Sequence, residues 1–161
     1  MLKKLFANFF LWYKRNYEAN LYLVAFLFLW QLVHLYWLAV DVVFARLHGQ
    51  GLWQVGSLGN ILISLVDYTE IPALILGSVF YLNELHKKFK WSSLLFLIFL
   101  NSQWLHLFWI TDEIVVAQFT GAAAVVLPVW LSWLAIMIDY LELPVMYDTI
   151  KKTIISLRKT A

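Results

Sequence analysis

The sequence contains no cysteine and carries little charge. The lack of cysteine excludes disulfides, thiolate metal sites and cysteine nucleophiles, so any metal ion must be held by nitrogen and oxygen ligands. Only 14% of the residues are charged, against about 25% in an average soluble domain. The formal net charge is +2, and the basic residues stand in short clusters at segment ends, so no nucleic-acid partner is expected.

Sequence motifs of several common enzyme chemistries are also missing. The chain has no glycine-rich phosphate loop, no nucleophile elbow, no zincin helix and no dinucleotide fingerprint. Any chemistry must therefore come from polar residues that lie within the apolar segments.

Apolar residues dominate what is present. They make up 63% of the chain, and the mean hydropathy is +0.75. Four apolar segments, at roughly 21–46, 57–83, 92–118 and 122–147, exceed the ~20 residues needed to cross a bilayer. A backbone in lipid must satisfy its own hydrogen bonds, which only helices and closed β-barrels do. The alternation of apolar and polar residues that is typical of a barrel is absent from these segments, so we expect helices. The sequence therefore predicts an all-α integral membrane protein, a bundle of four transmembrane helices.

The first 18 residues have the pattern of an amphipathic helix that lies on the membrane interface. Apolar residues from Leu2 to Tyr13 recur at helical spacing, opposite a basic face. The apolar run is interrupted before any small-residue cleavage site, so we interpret residues 1–18 as retained rather than as a signal peptide. Two transmembrane repeats, 19–88 and 89–161, are expected to follow, and the second ends in a basic tail.

Basic residues flank the predicted spans on one side. Clusters precede the first span, occupy residues 87–90 and follow the fourth span, whereas Arg46 alone lies on the other side. By the positive-inside rule both termini are cytoplasmic, and the turns at Gly49 to Gly56 and at Gly121 face outward. The pattern predicts insertion into an inner membrane of cytoplasmic type.

The two halves of the chain match when the sequence is shifted by 72 residues, as from Gln31 to Gln103. The matches fall on residues that are rare in apolar spans: Gln31 with Gln103, His34 with His106, Trp37 with Trp109, Asp41 with Glu113, Asp67 with Asp139, Tyr68 with Tyr140, Glu70 with Glu142 and Pro72 with Pro144. This pattern indicates a tandem duplication of one helical hairpin. Since each copy has two spans, the copies should be related by a pseudo-two-fold axis along the membrane normal.

The polar residues of the spans predict a cluster of acids and imidazoles in the bundle core. Charged side chains at the bilayer centre cost roughly 2.5–3.5 kcal/mol each, so they face the interior and usually mark function. Helical spacing places Asp67 and Glu70 on one face of their helix, and His34 and Asp41 on one face of theirs. No lysine or arginine lies within the second span or within the third and fourth spans to balance these acids.

Buried acids without basic partners must be protonated or neutralised by a bound cation. Two histidines and four carboxylates from four helices are the ligand inventory of a di-iron or di-manganese carboxylate bundle, although the Glu-x-x-His pairs of those sites are absent here. Nitrogen and oxygen ligands suit iron, manganese or zinc. We therefore predict a dinuclear site with the metal ligands His34, Asp67, Glu70, His106, Asp139 and Glu142, and with Asp41 and Glu113 as outer members.

Further residues are expected to surround this site. Gln31 and Gln103 should orient the histidine rings, whereas Tyr68, Tyr140, Trp37 and Trp109 should wall the site, with interhelical packing as the alternative. Asp112 points about 100 degrees away from Glu113 on an α-helix, so we leave it out of the core set. Arg46 is expected to pair with Asp41.

The predicted site is compatible with several functions. With iron or manganese the protein would be an oxidoreductase acting on a lipid-soluble substrate, and with zinc it would hydrolyse a substrate through an activated water. A proton or divalent-cation transporter using the same acidic ladder is an alternative, although the polar residues end at Gln31 and Gln103. A bis-His haem b protein is a further alternative, but the carboxylates count against it. The expected partners are the lipid bilayer and an apolar small molecule.

Overall fold

A computed structural model describes residues 2–52, 56–116, 120 and 128–160 of the chain. The described part is helical and contains no strand. In chain order the helices are α1 (Leu2–Arg15), α2 (Tyr17–Trp37), α3 (Phe44–His48), α4 (Ser57–Tyr68), α5 (Glu70–Lys87), α6 (Trp91–Ile110), α7 (Val129–Tyr140) and α8 (Glu142–Thr160). Two π-helical segments, π1 (Leu38–Val43) and π2 (Thr111–Val116), follow α2 and α6. The predicted turn at Gly121 lies outside the described residues.

Four helical stretches are long and apolar enough to cross a membrane. They are Tyr17–His48, Ile61–Lys87, Trp91–Ile110 and Val129–Lys159, which we call spans 1 to 4. The prediction of an all-helical protein with four candidate transmembrane helices is therefore confirmed. Large apolar side chains on the outside of these spans, such as Phe26, Leu62, Phe108 and Met137, are more than half exposed, as expected for a surface that meets lipid.

The four spans form a closed bundle. Helix α2 of span 1 packs against α5 of span 2 and α8 of span 4, and helix α6 of span 3 packs against the same two spans. Spans 1 and 3 therefore lie on one diagonal of the bundle, and spans 2 and 4 on the other. This arrangement brings side chains from all four spans to one central axis.

Apolar side chains fill the half of the bundle that carries residues 87–90, which we call the basic half. Each span contributes at least one side chain that is at most 1% exposed, among them Phe28, Leu74, Leu100 and Val145. Gly77 lets spans 2 and 3 approach closely, because a Cβ atom at this position would lie 3.2 Å from the Leu100 side chain. This half of the bundle is close-packed.

Helix α1 is confirmed as a helix and packs against the bundle. Tyr13 is 1% exposed, and its hydroxyl donates a hydrogen bond to the carbonyl of Leu76 at 3.3 Å. Phe10, Leu11 and Trp12 are exposed on the same helix. That this exposed apolar side lies on a membrane interface remains a prediction.

Spans 2 and 4 are both interrupted near their middle. Thr69 separates α4 from α5, and Leu141 separates α7 from α8. Pro72 and Pro144 are each the third residue of the helix that follows, where a backbone N–H would have no partner within the helix. The interruption places the first residue of α5 and of α8, a glutamate in both, at a helix N-terminus inside the bundle. The helix dipole is favourable for a negative charge there.

Hydrogen bonds and ion pairs among a group of polar side chains connect spans 2, 3 and 4 in the basic half. Lys152 Nζ lies 2.8 Å from Glu84 and 2.6 Å from Asp148, and Ser93 donates a hydrogen bond to Glu84 at 2.8 Å. Tyr81 donates a hydrogen bond to Asp148 at 2.9 Å. Each of these side chains is ion-paired or hydrogen-bonded within the group, so we regard the group as structural.

Candidate metal centre

Two histidines from opposite sides of the bundle meet near its axis. His34 on α2 is 5% exposed and His106 on α6 is 8% exposed. Their ring centroids lie 5.4 Å apart, and the ring planes are inclined at 66°. The repeat-matched histidines of the sequence are therefore neighbours in space.

Each histidine is paired through Nδ1 with an aspartate of the next span. His34 Nδ1 contacts Asp67 Oδ1, and His106 Nδ1 lies 2.8 Å from Asp139 Oδ1. Each aspartate lies 33 positions after its histidine in the chain. A carboxylate on one ring nitrogen fixes the orientation of an imidazole and increases the basicity of the other nitrogen, as in many metal sites.

Asp139 connects the two histidine pairs. Its Oδ2 atom lies 3.9 Å from His34 Nε2, while its Oδ1 atom contacts His106. One ligand atom each from His34, His106 and Asp139 lies within 4.8 Å of the other two. These three buried residues could hold a metal ion.

Several ligand atoms of the centre have no hydrogen-bond partner among the described residues. They include Nε2 of His34 and His106 and Oε1 of Glu70 and Glu142, all buried. Buried polar atoms are almost always hydrogen-bonded, so each such atom requires an explanation. A metal ion bound between His34, His106 and Asp139 would satisfy the two histidine nitrogens, because each carries a lone pair suited to a metal.

The two glutamates lie beside the histidines and aspartates. Glu70 is 4% exposed and interacts electrostatically with His106, Asp139 and Asp67. Glu142 is 3% exposed and interacts most strongly with Glu70. Six titratable side chains, predicted from the sequence as metal ligands, are thus gathered in one buried cluster: His34, Asp67, Glu70, His106, Asp139 and Glu142.

The two glutamines hold the helices that carry the aspartates. Gln31 Nε2 donates to the carbonyl of Val66 at 2.9 Å, and Gln103 Nε2 donates to the carbonyl of Ile138 at 2.9 Å. Each carbonyl belongs to the residue just before an aspartate of the centre. The amide nitrogens therefore position the turn that presents the carboxylate, whereas the glutamines were predicted from the sequence to orient the histidine rings.

His34 and Asp41 line the same cavity, in agreement with the prediction that they share a face of their helix, although π1 begins between them. The Asp41 carboxylate also lies against Gly51, where a Cβ atom would collide with its Oδ1 atom. The role of Asp41 as an outer member of the metal site remains a prediction.

The second π segment contains Asp112 and Glu113. Asp112 is 7% exposed. Its exclusion from the set of metal ligands remains a prediction. The side chain of Glu113 lies outside the described part of the structure. The prediction that Glu113 is an outer member of the site therefore remains a prediction.

The aromatic residues named from the sequence take different positions. Trp37 and Trp109 both line the cavity above the histidines, and the ring of Trp37 lies 5.9 Å from that of His34. Tyr68 is hydrogen-bonded to Thr111 at 2.8 Å, which joins span 2 to π2. Tyr140 is partly buried and packs against the apolar core.

A cavity of about 290 Å³ lies at the end of the bundle that carries Arg46, which we call the Arg46 end. Its base is formed by the two histidines and their aspartates, and its walls by Trp37, Leu38, Val42, Ile63, Trp109, Ile110, Ala135 and Ile136. Asp41, Arg46 and Ser132 complete its lining.

Arg46 is held by span 4. Its Nη1 atom donates to Ser132 Oγ at 2.6 Å, and its guanidinium lies 5.8 Å from the ring centre of Trp133. The described contacts of Arg46 are thus with these two residues, and not with Asp41 as predicted from the sequence. Ser132 was missed because a lone serine in an apolar span gives little signal.

No family model, curated protein or solved structure matches this chain. Its function must therefore be inferred from the geometry and chemistry of the buried cluster and the adjoining cavity.

Proposed function

We propose that this protein is a membrane-embedded metalloprotein with a dinuclear centre. The observation that carries the proposal is the convergence of His34, His106 and Asp139 within 4.8 Å, with Nε2 of both histidines buried and without a hydrogen bond among the described residues. Glu70 and Glu142 each supply a further unpartnered oxygen from the opposite diagonal of the bundle.

Charge balance favours two ions over one. The cluster contains four carboxylates, and Arg46 is the only basic side chain among the described residues that line the adjoining cavity. Buried charges are tolerated when they are paired or coordinate a metal. Two divalent ions would neutralise four carboxylates while the histidines bind in their neutral form.

The ligand types limit the identity of the metal. Imidazole nitrogen and carboxylate oxygen suit iron, manganese and zinc, whereas copper in its reduced state prefers sulfur. The aspartates on the Nδ1 atoms would act as orienting partners, and Asp139 would also reach the metal through its second oxygen. We propose iron or manganese, because a redox-active centre that opens to an apolar cavity suits oxidation of a lipid-soluble substrate.

The repeated contacts support an origin by duplication of a two-helix unit. The bonds from Gln31 to Val66 and from Gln103 to Ile138 occupy equivalent places, as do the two His–Asp pairs. We propose that the two halves, 19–88 and 89–161, are related by a pseudo-two-fold axis through the centre. We also propose that both termini are cytoplasmic, as the basic clusters predict.

The two alternatives are less well supported. Transport along the bundle axis would have to pass the layer of Phe28, Leu74, Leu100 and Val145, which are at most 1% exposed. A haem between the two histidines would need the space in which the Asp139 carboxylate contacts both rings.

Elemental analysis of the detergent-purified protein tests the proposal. We expect two equivalents of iron, manganese or zinc per chain in the native protein. Asp139→Asn keeps the volume of the side chain and removes its charge, so it should lower the metal content to one equivalent or less. Glu18→Gln, which changes an exposed acid outside the centre, should leave the content unchanged.

A second pair of variants separates metal loss from unfolding. His106→Ala should abolish metal binding, whereas His48→Ala, at an exposed histidine, should not. Helix content by circular dichroism must be the same in both variants for the comparison to count. Native protein that contains no transition metal after metal-supplemented expression, or that keeps two equivalents in Asp139→Asn, would refute the dinuclear centre.

A further inference from the structure

Asn101 is an exposed polar residue near the middle of span 3. It lies ten residues after Trp91, the first residue of α6, which is about 15 Å along the helix and half of a hydrocarbon core about 30 Å thick. The position 72 residues earlier holds Leu29, which is exposed and apolar, as contact with lipid requires. An amide at this depth is costly unless its polar atoms are hydrogen-bonded.

The hydrogen bonds of Asn101 satisfy its nitrogen and leave its oxygen free to accept one. Its Nδ2 atom donates to the carbonyl of Leu97 at 2.8 Å and to Ser78 Oγ at 3.0 Å, so both N–H groups are used. Its Oδ1 atom accepts no hydrogen bond from the residues that the structure describes. Lipid chains carry no donor, so contact with lipid leaves this acceptor unsatisfied.

Asn101 stands in a continuous apolar stripe on the outer face of span 3. The members of the stripe are three or four residues apart, which is the spacing of the seam between two packed helices. They are Ile98, Asn101, Leu105 and Phe108, and the three apolar members are more than half exposed. A single asparagine in such a seam fixes the register of two helices, and in a membrane it also contributes to their association.

The same face continues onto span 2. Ser78, the hydrogen-bond partner of Asn101, stands on α5 between Ile75 and Leu82, which are both exposed. The face thus has one polar pair, Asn101 and Ser78, surrounded by apolar side chains from two spans.

We propose that this face binds a second copy of the chain, with the two α6 helices in contact and the two Asn101 amides hydrogen-bonded to each other. Two copies inserted in the same orientation carry Asn101 at the same depth, so a two-fold axis along the membrane normal brings the amides together. An amide is self-complementary, because it offers both a donor and an acceptor. A different protein would need a donor of its own at this depth.

The hydrogen bonds balance in the pair. The N–H that donates to Ser78 in the single chain turns to the oxygen of the other copy's Asn101, and the Ser78 hydroxyl donates to a carbonyl of its own helix. The metal centre lies inside one chain, so this inference does not rest on the proposed function.

Oxidative crosslinking in native membranes locates the interface. The chain has no cysteine, so each variant carries a single one. Ile98→Cys and Leu105→Cys, on the stripe, should form covalent dimers. Leu29→Cys and Met137→Cys, which are also about half exposed or more but lie on spans 1 and 4, should not. Equal crosslinking at all four positions would overturn the assignment to this face.

Energy transfer between labelled chains in liposomes measures the affinity. The label is attached to Lys151→Cys, at an exposed position, and the protein is diluted with lipid. Asn101→Leu removes both hydrogen bonds of the amide pair and should raise the dissociation constant about tenfold. Ser102→Ala is the matched control, because the Ser102 hydroxyl donates to the carbonyl of Phe99 in its own helix. It should leave the dissociation constant unchanged.

The outcomes distinguish this pair from other occupants of the face. Helix content by circular dichroism must be the same in Asn101→Leu and Ser102→Ala for the comparison to count. Chains that stay monomeric at every lipid dilution would refute the inference, even if another membrane protein copurified with them. A dissociation constant unchanged in Asn101→Leu would refute the role of the amide. Metal content should be the same in monomer and dimer, so failure of either proposal leaves the other testable.

Discussion

The imidazole rings of His34 and His106 face each other across the bundle with their centroids 5.4 Å apart. They come from diagonally opposite spans, and the aspartates that fix their Nδ1 atoms come from the other two spans. All four spans must therefore be in place before the centre exists. Substitutions that loosen the packing between spans should therefore change the geometry of the centre as well as lower the stability of the protein.

The two glutamines give the first prediction. Gln31→Ala and Gln103→Ala should each destabilise the protein by about 1 kcal/mol, because each removes a buried interhelical hydrogen bond. Each should also weaken metal affinity about tenfold, since the bonded carbonyl precedes an aspartate of the centre. Thermal unfolding and metal titration measure the two effects.

Asn101→Ala is the matched control for the glutamine variants. Asn101 also makes an interhelical amide hydrogen bond, to Ser78 at 3.0 Å, but it is exposed, and Ser78 does not adjoin an aspartate of the centre. Its loss should leave metal affinity unchanged. If Gln31→Ala and Asn101→Ala had the same effect on metal affinity, the positioning role of the glutamine would be wrong.

The group around Lys152 gives the second prediction. Lys152→Met leaves Glu84 and Asp148 without their cation and should destabilise the protein by about 1–3 kcal/mol, a range that allows for their partial exposure to solvent. Lys151→Met, at the exposed neighbouring residue, should have little effect. The measurement is the free energy of unfolding in detergent and denaturant.

A second substitution checks the origin of that effect. Adding Glu84→Gln to Lys152→Met removes one of the unpaired charges, so part of the lost stability should return. Metal content should stay the same in both variants, because this group lies in the basic half. A double variant that is less stable than Lys152→Met would show that packing, and not charge, accounts for the loss.

Tyr13 gives a prediction about pH. Burial raises the pKa of Tyr13 well above its usual value of 10.0, and the neighbouring Tyr17 raises it further. The packed state of α1 therefore favours the neutral phenol, so its stability is constant below pH 10 and falls as the pH rises further. Each pH unit above 10 should cost up to about 1.4 kcal/mol of docking free energy.

The absence of cysteine makes this effect easy to observe. A single cysteine introduced as Phe10→Cys, at an exposed position of α1, can be labelled with a fluorophore without any other change. The anisotropy of the label should fall between pH 10 and pH 12 as α1 separates from the bundle. In Tyr13→Phe the anisotropy should not depend on pH in this range, and a persistent dependence would assign the effect to another group.

The composition and the helical period were enough to predict the four spans. A long apolar segment in lipid must satisfy its backbone hydrogen bonds within itself, and a helix does this. The secondary structure of each span therefore follows from its own residues. The six-member cluster could be predicted because residues three or four apart on a helix share a face, as Asp67 and Glu70 do. Because the polar residues of the two halves match at an offset of 72 residues, the same reasoning applied to the second half of the chain.

Other features depended on contacts between distant residues. The sequence could not show that π1 and π2 follow the histidines, because a π segment depends on packing around the helix as well as on its own residues. The shared face of His34 and Asp41 was nevertheless predicted, and both residues line the cavity at the Arg46 end. The bond of Arg46 to Ser132, 86 positions away in the chain, also had no signal in the sequence.

The sequence alone determined that this protein is helical, that it has four stretches suited to a bilayer and that its intramembrane acids outnumber its intramembrane bases. Only the tertiary structure decided which of these acids meet, which histidine nitrogens lack a hydrogen bond among the described residues and that one half of the bundle is packed while the other contains a cavity. The physical reason is that helix formation and burial follow from local composition, whereas the meeting of side chains depends on how four helices rotate and pack against one another.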